Sequence, residues 1–237
     1  STRGTAGTGL GAVRRAAREC DAFSRPGSGT VVFTRVGGSP TTGDRARFEW
    51  GAVCVAMPGE SACGDAWRVH ASGEDVALLV ADGVGHGPAA AAVAQQACRT
   101  FEVAPDARPD DVLRRAHEAL AGTRGAAVFV AAVSRGTLAY AGIGNVAGTL
   151  LAGGAHQGLV SLHGMVGTQG RRVRQFERPW PERGLLIVHT DGLQSRWSQA
   201  DVSAVLGRHP AVVAALMYRD FRRGRDDVGM LAVRGNP

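Results

Sequence analysis

"LLVADGVGHGPAAAAVAQQA", residues 78–97, passes from a short apolar run into an aspartate, then through three glycines in five residues, and ends in an alanine-rich run. The apolar run has the length of a strand. Gly87 and Pro88 open a helix to about Phe101, with proline in the first turn, where its missing N–H costs nothing. Asp82 therefore stands at the mouth of a strand. Gly83, Gly85 and Gly87 strip the backbone around it of side chains, so that it can approach a neighbour closely. Taken alone, Asp-Gly is also simply a turn.

The pattern recurs. "ACGDAW" (62–67) sets Asp65 beside a glycine after one β-type run. "IVHTDGL" (187–193) sets Asp191 before a glycine at the end of another, and "GRDDVGMLAV" (224–233) sets Asp226 and Asp227 at the start of the last. None of these stands beside a histidine or cysteine ligand pair. Carboxylates at several strand ends describe an all-oxygen site, and such a site suits the hard cations Mg²⁺ and Mn²⁺.

Around these positions the chain reads as strands at 47–57, 65–71, 75–81, 126–134, 137–143, 148–152, 158–162, 171–177, 184–190 and 226–234. Helices follow the 3.6-residue period at 87–101, 108–122, 199–207 and 210–222. Strands in runs with helices in separate blocks predict an α+β fold, a sheet-on-sheet core covered by helices. "GGSPTTGD" (37–44) is the best boundary, a Gly/Pro/Thr linker. Ahead of it, "GTGLGAV" (7–13) reads as a glycine loop, Ala12 to about Cys20 as a helix, and residues 25–36 as a turn feeding a strand.

With 237 residues, 44% hydrophobic and 20% charged, the chain suits one main soluble domain plus a fragment. No apolar window is long enough for a membrane helix and no signal-peptide region opens the sequence, so the expected compartment is the cytoplasm, with no membrane partner. Net charge is +6, from 27 basic against 21 acidic residues. The arginines fall in small clusters without the interleaved aromatics that stack on bases, so nucleic acid is not the expected partner. Cys20, Cys54, Cys63 and Cys98 form no C-x-x-C pair; reduced and mostly buried thiols are expected in place of a zinc site.

The four acidic segments, in this order and spacing, resemble those of the PPM, or protein phosphatase 2C, superfamily of metal-dependent serine/threonine phosphatases, in its bacterial SpoIIE/RsbX-like branch. "ADGVGHG", "AGIGNV", "HTDGL" and "DDVGMLAV" carry the likeness, which spans residues 45–237. It implies a β-sandwich flanked by α-helices with a dinuclear Mn²⁺ or Mg²⁺ centre at one edge. Carried over, Asp82 bridges both metals, Gly83 offers its carbonyl, Asp65 serves the second metal, and Asp191 and Asp226 hold the first. Two cations about 3.5–4 Å apart would activate water for in-line attack on phosphorus. The implied substrate is a phosphorylated STAS-type anti-sigma antagonist or a stressosome protein.

The sequence departs from the family at two points. Val84 stands where eukaryotic relatives have a histidine after Asp-Gly. His86, two residues on, is the candidate for proton transfer or phosphate contact, the alternative being a histidine bonded to its own glycine loop. Asn145 stands where many relatives have an aspartate of a third metal site. The expected side chain of His189 turns into the sheet, and Asp227 points away from the metals toward Arg225 or Arg223. Residues 1–36 resemble the C-terminal end of a histidine-kinase-type ATPase domain of anti-sigma factors. The segments that would hold Mg²⁺ and adenine are missing, so a remnant without ATP binding is implied. The alternative to an enzyme is a catalytically weak regulatory module of the same fold that binds such partners.

Overall fold

In the computed structural model, which describes residues 8–37, 47–168 and 173–235, the strand that carries Asp82 is covered on both faces. This strand, β5 (Asp75–Gly83), turns Val76, Leu78 and Val80 to one side and Ala77, Leu79 and Ala81 to the other, and all six are buried. That is why its sequence reads as a continuous apolar run and not as an alternation. It pairs antiparallel with β4 (Asp65–Ser72) and β6 (Ala126–Ser134). β7 (Thr137–Ile143) and β10 (Phe176–Pro179) complete a five-stranded sheet in the order β10-β7-β6-β5-β4.

The second sheet has five strands in the order β3-β12-β11-β8-β9, from β3 (Phe48–Val55), β12 (Val228–Gly235), β11 (Leu185–His189), β8 (Ala147–Ala152) and β9 (Ala155–Leu159). Its inner side chains Leu186, Val188, Leu231 and Val233 meet Leu78, Val80, Phe129 and Tyr140 of the first sheet. Burying each such side chain contributes about 1.5–3 kcal/mol. Outside the first sheet lie α2 (Gly87–Val103) and α3 (Pro109–Ala119). Outside the second lie α5 (Pro210–Phe221) and the short α4 (Gln199–Val202). The architecture is α+β, a β-sandwich flanked by helices.

Two expected strands are shifted. Gly153 and Gly154, both at positive φ, make a two-residue turn that sets Ala152 opposite Ala155, so β9 runs over 155–159 and not 158–162. The strand expected at 171–177 forms at Phe176–Pro179; residues 169–172 lie outside the described residues.

The N-terminal reading needs more correction. Gly9 and Gly11 lie inside a helix, α1 (Thr8–Ala16), and not in a loop before it. Where the helix was expected to continue to Cys20, the chain forms β1 (Glu19–Arg25), paired with β2 (Gly29–Arg35). Tertiary contact decides this. One face of the hairpin sets Phe23, Val31 and Phe33 against the α5 layer, and Phe33 stacks on His209 at 4.3 Å. Asp21 accepts the His209 backbone N–H at 2.7 Å. The 37–44 linker, apart from Gly37, lies outside the described residues. Of the four cysteines only Cys98 is buried; Cys54 is exposed, and Cys20 and Cys63 are half-buried. They lie on a hairpin or at strand ends near the surface, and not in the core as composition suggested.

Candidate active site

The antiparallel register of β4 and β5 places Asp65 directly opposite Asp82. Pairing of β11 with β12, His189 opposite Met230, brings the following Thr190-Asp191 beside the Asp226-Asp227 pair that precedes β12. Two backbone bonds zip these loops together, from Arg223 N–H to Gly192 O and from Gln194 N–H to Phe221 O. Four strand ends thus deliver their acids to one end of the sandwich. Gly83 is required by packing: a Cβ there would lie 2.2 Å from the Ala90 carbonyl oxygen of α2. The close approach foreseen for this glycine is therefore to the helix.

Asp82, Asp191, Asp226 and His86 line one cleft of about 660 Å³, together with Asn145 and Arg225. Asp65 is 3% exposed and sits behind this lining, as does Gly83. Thr190 ties the two sheets here. Its hydroxyl donates to the Asp65 carboxylate at 2.8 Å and accepts from the Gly229 N–H at 2.9 Å. Asn145 donates its side-chain amide to Asp191 at 2.6 Å. His86 Nδ1 donates to Glu60 at 2.6 Å, so it is fixed from outside its own glycine loop. His189 is 2% exposed and directs Nδ1 at the Thr190 carbonyl, away from the cleft.

Asp227 does point away, but among the described residues it pairs with no arginine. It is 3% exposed and accepts the Met57 and Gly64 backbone N–H groups, each at 2.8 Å. Thr190, Glu60 and Asp227 were the residues missed or misread. Thr190 and Asp227 adjoin motif aspartates, which gave a signal for them; nothing local marked Glu60.

Electrostatically the carboxylates are in conflict. Burial first, then the charge of Asp82, pushes Asp65 up to about 9. Burial first, then Asp191, Asp226 and Asp227, pushes Asp82 up to about 7. Asp226 is raised for the same reasons. Among the described residues no Lys, Arg or His forms an ion pair with Asp65, Asp82, Asp191 or Asp226. Nor do three Asp, Glu, His or Cys side chains close around one point, so the set borders the cleft as an open one. Crowded oxygen donors without a positive partner suit a hard divalent cation, whose charge would relieve their repulsion.

The family described as Stage II sporulation protein E (SpoIIE) matches residues 72–236, a span that holds Asp82, Asp191 and Asp226 but not Asp65. A search among curated proteins gave no match. Among solved structures, one from work on the bacterial stressosome as a modular system adapted to control secondary messenger signalling is 28% identical. It covers 79% of this chain and 99% of its own, with a TM-score of 0.73. RsbX in complex with magnesium is 18% identical over 82% of this chain and 98% of its own, at a TM-score of 0.72. The RsbU and RsbW domains of a Mycobacterium tuberculosis protein are 21% identical over 80% and 62%, at 0.65. The chain belongs to the SpoIIE family of PPM-fold protein serine/threonine phosphatases.

Proposed function

We propose that the chain removes phosphate from phosphoserine or phosphothreonine in a partner-switching regulator, using two divalent cations, Mn²⁺ or Mg²⁺. The observation that carries this is the convergence of Asp65, Asp82, Asp191 and Asp226 at one end of the sandwich without a positive partner among the described residues. Asp82, Asp65, the Gly83 carbonyl, Asp191 and Asp226 would be the residues that hold the ions. Bound there, such ions supply an activated water and neutralise phosphoryl charge.

The chain's own residues prepare that site. Thr190 holds Asp65 in one rotamer, and Asn145 does the same for Asp191. With its amide so engaged, Asn145 is not proposed as part of a third metal site. His86, oriented by Glu60, faces the cleft with a ring able to hand a proton to the leaving serine or threonine oxygen, or to bond the phosphoryl group. Arg225, exposed and without a hydrogen-bonding or ionic partner among the described residues, is placed to attract the phosphate.

The likeness to stressosome and RsbX structures supports a phosphorylated STAS-type antagonist or stressosome protein as the substrate. Residues 1–36 we read as the remnant of an anti-sigma ATPase domain, ahead of a phosphatase domain at 45–237. The substrate reading is tested by incubating a serine-phosphorylated STAS protein with the chain and Mn²⁺ and following the phosphate by intact mass. Loss of 80 mass units (the mass of HPO₃, about 80 by simple composition) is expected. A phosphoprotein left intact while a small phosphate ester is hydrolysed would overturn the choice of substrate.

A further inference from the structure

The loop between β3 and β4 carries a second chemistry. Cys54, exposed near the end of β3, lies with its sulfur 3.4 Å from that of Cys63, half-buried just ahead of β4. The Cys54 thiol also donates to the Asp65 carbonyl at 3.2 Å. Cys98 is buried and Cys20 lies on the N-terminal hairpin, so the two close thiols stand apart from the others.

The residues between them, and Gly64 just after Cys63, anchor the active site. Met57 and Gly64 donate their N–H groups to Asp227, and Glu60 holds His86. Cys63 itself is two residues from Asp65. A disulfide needs its sulfurs at about 2.05 Å, so closure draws these two about 1.4 Å together from 3.4 Å. It also removes the hydrogen that Cys54 gives to the Asp65 carbonyl.

We propose that Cys54 and Cys63 are a peroxide-sensitive dithiol, and that its closure to a disulfide turns the enzyme down; the second half rests on the phosphatase reading above. Hydrogen peroxide oxidises the exposed Cys54 thiol to a sulfenic acid with release of one water. The Cys63 sulfur then attacks that sulfur, the S–O bond breaks, and a second water leaves with the remaining thiol hydrogen. The two thiols lose two electrons and two hydrogens, peroxide is reduced to water, and a dithiol reductant reverses the step.

The test treats the full chain with hydrogen peroxide, alkylates the remaining thiols and maps them by mass. Trypsin releases residues 48–68 as one peptide holding both cysteines and neither of the others. It should appear unalkylated and lighter by two hydrogens, with free thiols falling from four to two, and dithiothreitol should restore all four. In parallel, Mn²⁺-dependent hydrolysis of a chromogenic phosphate ester should fall several-fold and recover on reduction, while Cys63→Ser stays unaffected by peroxide. Alkylation of both cysteines after peroxide, or their conversion to separate sulfinic acids, overturns the dithiol. A closed peptide with unchanged turnover overturns the control of activity. A closed peptide in a chain that never hydrolyses the ester upholds the dithiol and removes the phosphatase reading instead.

Discussion

Asp226 and Asp227 are neighbours of one charge, and the fold assigns them opposite work. Asp227→Ala would leave the buried Gly64 amide and the half-buried Met57 amide without this acceptor. At about 1–3 kcal/mol for each stranded donor, the loss is about 2–6 kcal/mol, a large part of a domain's stability of about 5–15 kcal/mol. Asp227→Asn is the informative variant, because it keeps one acceptor oxygen and should cost about 1–3 kcal/mol. Asp226→Asn keeps an oxygen for its one backbone bond, from the Asp227 N–H, and removes a charge that its neighbours repel. Its stability without metal should stay within about 0.5 kcal/mol of wild type, while Mn²⁺-dependent turnover collapses. Urea unfolding in chelator, followed by tryptophan fluorescence, measures the first quantity, and a chromogenic phosphate ester with Mn²⁺ the second. Wild-type stability in Asp227→Asn together with a large loss in Asp226→Asn would refute this division.

In chelator, stability should fall as pH rises from 7 to 9. Asp65 and Asp82 have folded pKa values of about 9 and about 7, above the ordinary carboxylate value, so the folded chain holds protons that the unfolded chain has lost. The slope approaches about 1.4 kcal/mol per pH unit for each such proton, and a melting temperature that rises over this window would contradict it. Arg225→Ala should raise KM for a phosphate ester several-fold with Mn²⁺ affinity unchanged by calorimetry; an unchanged KM would remove Arg225 from the phosphate site. Phe33→Ala removes the ring stacked on His209 and should lower stability by about 1–3 kcal/mol in urea unfolding. No loss would mean that the hairpin is not docked in solution.

Much of the architecture was legible because the sandwich layers write their own periodicities. β5 and α2 are read directly from residues 75–103, and the recurring aspartates at the edges of β-type runs marked the strand ends that converge. What escaped was set by long-range contact. Nothing local tells that the helix expected to reach Cys20 gives way at Glu19 to the first strand of a hairpin, because the hairpin docks on α5, almost two hundred residues away. The Glu60–His86 pair and the Thr190 bridge between sheets likewise join segments distant in sequence. Asp227 was expected on the surface with an arginine, since charge alone suggests a charged partner; two backbone amides hold it inside instead.

The central claim is that Asp82 organises a metal-dependent phosphatase centre, and one comparison tests it most directly. Turnover of a phosphoserine peptide is measured for wild type and Asp82→Asn, each with Mn²⁺ and each with chelator, alongside Mn²⁺ binding by calorimetry. Wild type with Mn²⁺ should exceed the chelated enzyme by orders of magnitude, because the ions would supply the activated water. Asp82→Asn should weaken Mn²⁺ binding and lose that activity. Turnover that survives chelation, or an Asp82→Asn variant with wild-type Mn²⁺ affinity and rate, would contradict the account.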